Sequence, residues 1–80
     1  MRPFPHLKHN QVALVRAEKK TGHVLDEDFV LAVSDNQKVY TVFDSLDEAQ
    51  AFAKKILSSN QEIEVAIYSD LQEVLFYSNP

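Results

Sequence analysis

Ser45-Leu46-Asp47-Glu48 opens a single well-marked helix, and the segments on both sides of it read as strands. In a chain of 80 residues that arrangement leaves few folds open. A lone helix has to bury its apolar stripe against a sheet, and it covers only one of that sheet's faces. The helix signal is local and redundant. Ser45 and Glu48 form a capping box, each side chain within reach of the other residue's free backbone N–H. Asp47 and Glu48 put negative charge at the positive end of the helix dipole, while Lys54 and Lys55 lie toward the negative end. Leu46, Ala49, Phe52, Ala53, Ile56 and Leu57 recur at helical spacing and form one stripe. The pattern predicts a helix over about 46–59, closed by Asn60 in a left-handed conformation.

The flanks carry a period of two. Lys38–Phe43 is rich in β-branched and aromatic residues. Glu62–Tyr68 alternates Ile63, Val65 and Ile67 with Glu62, Glu64, Ala66 and Tyr68. Ser69-Asp70-Leu71-Gln72 reads as a turn into a strand at Glu73–Tyr77, so these two strands are expected to pair as a hairpin. Phe29–Ser34 reads as a strand that turns at Asp35-Asn36-Gln37 into Lys38–Phe43, a second expected hairpin. Val12–Glu18 reads as a strand with a turn at Lys19–Gly22, in which Gly22 supplies a positive φ. A short helix over Asn10–Lys20 is the rival for that stretch.

The expected fold class is α+β: a two-layer, mostly antiparallel β-sheet in the order β-β-β-α-β-β, with the helix at about 46–59 packed on one face. The chain is read as one small domain, with residues 1–10 as a loosely ordered arm. Phe29, Leu31, Val33, Val39, Phe43, Ile63, Val65, Ile67, Val74 and Phe76 are the expected sheet contribution to the core. A domain this small buries roughly 60% of its unfolded surface, so that core is thin.

Composition removes several functions. There is no cysteine, which excludes disulfides, thiol nucleophiles and thiolate metal sites. Gly22 is the only glycine, whereas phosphate-binding loops, dinucleotide fingerprints and nucleophile elbows each need at least two. The longest apolar run, Phe29–Val33, has five residues against the roughly 20 of a membrane span. The start, Met1–His6, has no apolar stretch of the kind a secretory signal carries, so the sequence reads as cytoplasmic. The helix's polar residues are nearly balanced in charge, which gives no reason to expect a membrane surface as partner.

Charge is distributed unevenly. Residues 1–25 hold five bases and one acid; residues 26–80 hold three bases and eleven acids. Arg16, Lys19 and Lys20 are therefore read as a basic steering patch on an acidic body. Strand parity places all three tyrosines, Tyr40, Tyr68 and Tyr77, with Val30, Ala32, Val42, Ala66 and Leu75 on the sheet face away from the helix, rimmed by Glu62, Glu64 and Glu73. Tyr40, Val42, Tyr68, Leu75 and Tyr77 are the expected partner-binding residues, because a contiguous apolar face rimmed by polar groups marks a contact surface.

Candidate chemistry elsewhere is thin. His6, His9 and His23 with Asp26-Glu27-Asp28 lack a helix or strand to aim them at one point, so no metal or cofactor is expected. The acidic run reads as a solvated turn, not a catalytic pair, and no serine lies in a nucleophile-presenting motif. Tyrosines on an open sheet can stack nucleic-acid bases, but the acidic rim and net charge of −4 argue against nucleic acid. The expected protein is non-catalytic and associates with itself, as a homodimer, or with another protein. The alternative is a nucleic-acid or anionic-ligand binder using the basic N-terminal third.

Overall fold

The computed structural model describes residues 4–78. Among the described residues the elements run β1 (Val12–Glu18), β2 (Val24–Leu25), β3 (Tyr40–Phe43), α1 (Leu46–Ser59), β4 (Ile63–Tyr68) and β5 (Val74–Tyr77). The chain folds as the expected two-layer α+β arrangement, with one helix on a five-stranded antiparallel sheet. Val12–Glu18 is a strand, not the rival helix.

β1 is the centre of the sheet. β4 runs along one side of it, from Ala13 opposite Tyr68 to Glu18 opposite Ile63. The other side is shared by two strands placed end to end: β3 pairs with Val12–Val15, and β2 with Arg16 and Ala17. β5 forms the far edge beside β4. All pairings are antiparallel, so β3 and β4 run parallel to each other with β1 between them, and α1 makes the connection.

Local chemistry accounts for the turns. After β1 the N–H of Gly22 donates to Glu18 O at 2.7 Å, with Gly22 at φ 77° as its role required. Between β4 and β5, Ser69 Oγ accepts the N–H groups of Leu71 and Glu73 at 3.1 and 3.2 Å, closing the expected hairpin. At the helix start, Ser45 Oγ accepts the Glu48 N–H at 3.2 Å. The reciprocal half of the box differs from expectation: the Ser45 hydroxyl itself donates to Glu48 Oε1 at 3.3 Å. At the other end, Asn60 is extended (φ −151°), not left-handed, and its N–H returns to Ile56 O.

Residues 29–34 are not the expected strand, and β3 begins at Tyr40 instead of Lys38. Side chains compete for the backbone here. Asp26 Oδ1 accepts the N–H groups of Asp28 (2.8 Å) and Val30 (3.0 Å), which turns the chain and leaves Phe29 at φ 62°. Gln37 Oε1 accepts from Val33 and Ser34, both at 2.8 Å, and Gln37 Nε2 donates to Asp26 Oδ2 at 2.8 Å and Leu31 O at 3.0 Å. These bonds replace a strand ladder; only an isolated bridge between Leu31 and Leu25 remains. β3 pairs with β1, and the segment expected to pair with it is held in a loop.

The core accordingly differs from expectation. Val12, Leu14, Leu25, Ala49, Ala53, Ile56, Ile63, Val65 and Ile67 are buried between sheet and helix, with Phe43, Leu46, Leu57 and Phe76 packed against them. Val39 is also buried. Phe29, Leu31, Val33 and Val74, expected in the core, are exposed, Val33 by 86%. Ala49 and Ala53 have no exposed surface, and their small side chains let the helix lie close to the sheet.

Candidate functional site: the outer face of the sheet

The strand register lays out the face away from the helix as rows of side chains, because directly paired residues share a face. The first row is Val42, Ala13, Tyr68 and Val74, crossing β3, β1, β4 and β5. The second is Tyr40, Val15, Ala66 and Tyr77. The third is Val24, Ala17 and Glu64, crossing β2, β1 and β4. This is an apolar surface three rows deep with one carboxylate. Val42, Val74 and Tyr77 are 43%, 57% and 52% exposed, whereas Tyr40 and Tyr68 are half-buried.

Phe4 packs against both of these tyrosines. Its ring stands edge-on to Tyr40 (centroids 5.3 Å apart, 71° between planes) and to Tyr68 (6.2 Å, 87°), the favoured aromatic geometry. The arm thus has a residue seated on the face. Tyr77 is tied differently: its hydroxyl donates to Glu64 Oε2 at 2.8 Å. That bond raises the Tyr77 phenol above the ordinary tyrosine range, with burial adding to it.

Of the five expected partner-binding residues, Tyr40, Val42, Tyr68 and Tyr77 lie on this face, as does Ala66. Leu75 does not. The register shifts between Ile67 and Tyr68, so Val74 lies opposite Tyr68 and Leu75 becomes the extra residue of a bulge. Leu75 instead borders a shallow depression of about 460 Å³ at the end of the sheet, with Val12, Leu46 and Asp70 among its neighbours. Val30 and Ala32 are likewise off the face, in the 26–37 loop. Ala13, Val15, Ala17, Val24 and Val74 complete it, none of them anticipated. The alternation of β1, with Val12 and Leu14 inward and Ala13 and Val15 outward, carried the signal for three of them.

The basic patch does not assemble. Lys19 and Lys20 are exposed in the β1–β2 turn, but Arg16 shares the inward phase of Val12 and Leu14 and is 1% exposed. Its Nη2 donates to Thr41 Oγ1, and Thr41 Oγ1 donates to Glu27 Oε2 at 2.9 Å. Nε and Nη1 are buried without a hydrogen-bond partner. Burial lowers the Arg16 pKa, opposed by the charges of Glu27 and Asp26. Arg16 is therefore a core cation linked to a surface carboxylate through a hydroxyl, and of the expected patch only Lys19 and Lys20 are exposed.

The acidic run has a structural role at Asp26. Its carboxyl is held below the usual carboxylate range, first by the Gln37 side chain and then by the Val30 N–H. His6, His9 and His23 are exposed, and no three His, Asp or Glu side chains among the described residues converge to hold a metal ion. No helix among the described residues is long and apolar enough to cross a membrane. No protein-family model, no curated protein and no solved structure matches the chain.

Proposed function

We propose that this chain is a non-catalytic association module whose outer sheet face binds a second copy of itself or another protein. One observation carries the reading: three rows of apolar and tyrosine side chains lie on the face that α1 does not cover, and Val42, Val74 and Tyr77 within them remain open to solvent. An uncovered face of that kind is where soluble proteins associate, and two-fold pairing with a second copy is the commonest outcome. Tyrosine suits the role because its ring is apolar while its hydroxyl stays paired, as Tyr77 is with Glu64.

The test is the solution mass of the chain by size exclusion with light scattering, over a range of concentration and salt. A species near twice 9.1 kDa that persists at high salt is the expected result, since apolar contacts are not screened. Val42→Glu, which puts a charge in the open part of the first row, is expected to return the chain to monomer with its circular dichroism unchanged. A wild-type chain that is monomeric throughout and captures no protein partner through this face defeats the reading.

A further inference from the structure

Ala13 has no exposed surface although it lies on the sheet face opposite the helix, outside the cluster of core residues beneath α1. Tyr68 stands directly beside it on β4, and Tyr40 lies diagonally across β1, opposite Val15. Phe4 meets both tyrosine rings edge-on. A fully buried small residue between two tyrosine positions, with Phe4 edge-on to both rings, is a setting that receives an aromatic side chain.

We propose that Tyr40, Tyr68 and Ala13 form a subsite for a phenylalanine carried on an extended, proline-flanked segment, and that residues 4–8 of a second copy fill it when the chain self-associates. The second clause rests on the association reading above; the first does not. The occupant's chemistry is read from Phe4, which the folded chain places there itself. Pro5 lacks an N–H and fixes its own φ, so this segment docks through its ring and not by extending the sheet, and it loses little freedom on docking.

Exchange between copies also fits the attachment of the segment. The backbone bond described between the arm and β1 is Gln11 N–H to Lys8 O, backed by the Gln11 side chain accepting from Lys8 N–H. Asn10, within that turn, is at φ 76°, a conformation that only a few residue types tolerate. Opening this turn carries Phe4 away from its own body while the ring contacts are remade on a second copy, the low-cost route to a swapped dimer.

The experiment uses the full chain carrying Phe4→Ala, titrated with a synthetic peptide of residues 1–11 and with the same peptide bearing alanine for phenylalanine. Neither peptide contains tyrosine and the chain has no tryptophan, so tyrosine emission reports on the protein alone. The phenylalanine peptide is expected to bind about tenfold or more tightly than the alanine peptide. Equal affinities overturn the subsite. A second sample mixes isotopically labelled and unlabelled wild-type chains at concentrations where scattering shows dimer. Magnetisation transfer between Phe4 of one copy and Tyr40 or Tyr68 of another supports exchange, and transfer confined within single copies overturns it. Peptide binding together with a wild-type chain that stays monomeric keeps the subsite and removes the second copy as occupant. Should Phe4→Ala lose its helical dichroism, the mixed-label sample decides alone, because it uses only wild-type chains.

Discussion

Arg16 and Asp26 show how differently two charged side chains can be accommodated. Asp26 receives three hydrogen bonds, from the Asp28 and Val30 N–H groups and from Gln37 Nε2. Arg16 has Thr41 as its bonded partner, and two of its nitrogens are buried without one. A buried cation so incompletely paired costs desolvation that an apolar side chain of similar length avoids. Arg16→Met is therefore expected to leave thermal stability unchanged or raise it, while Glu27→Gln, which removes the larger of the two opposing charges, lowers stability by about 1 kcal/mol in urea unfolding. The reverse order of the two variants would show that Arg16 is well compensated. For Asp26 the sign follows from its lowered pKa. Its contribution is complete above the unfolded carboxyl value of about 3.9 and is lost as pH falls below that, through the lower folded value, because the unfolded chain takes up the proton first. Urea midpoints measured downward from pH 5 are expected to fall less steeply for Asp26→Asn than for the wild type. Parallel slopes would remove Asp26 from the acid response.

Among the elements, α1 and the 26–37 loop stand at opposite ends of legibility. The helix is specified by contacts three and four residues apart, so its start at Leu46 and its end at Ser59 follow from a capping residue and a stripe. Ser45→Ala is expected to cost about 1 kcal/mol, seen as a lower urea midpoint. The loop contains the most apolar run in the chain and is nonetheless not a strand. Its backbone is claimed by Asp26 and Gln37, residues that bond to each other across eleven positions, and no propensity scale registers such a bond. Val33 is the consequence: alternation put it in the core, and it is 86% exposed. Val33→Ala is expected to change stability by less than about 0.5 kcal/mol. Ile67→Ala, at the centre of the sheet, should cost about 2–5 kcal/mol. Comparable losses in the two variants would contradict the core described above.

For the whole molecule, the decisive fact is that β1 lies in the middle of the sheet. Its Val12 and Leu14 join the core on one side, and its Ala13 and Val15 build the outer face on the other. The sequence by itself determined the helix, the strand character of β3, β4 and β5, the preference for a strand over the rival helix at β1, the tight turns at Gly22 and Ser69, and the presence of Tyr40, Val42, Tyr68 and Tyr77 on one face. Each of these depends on a period of two or on neighbours within a few residues. Tertiary structure alone decided that β1 separates β3 from β4, that residues 29–34 leave the sheet, that Arg16 turns inward, that the bulge exchanges Val74 for Leu75, and that Phe4 sits on Tyr40 and Tyr68. Those outcomes join residues far apart in the chain. Which partner a backbone or a ring finds is a competition among distant candidates, and its winner is set by the packing of the whole.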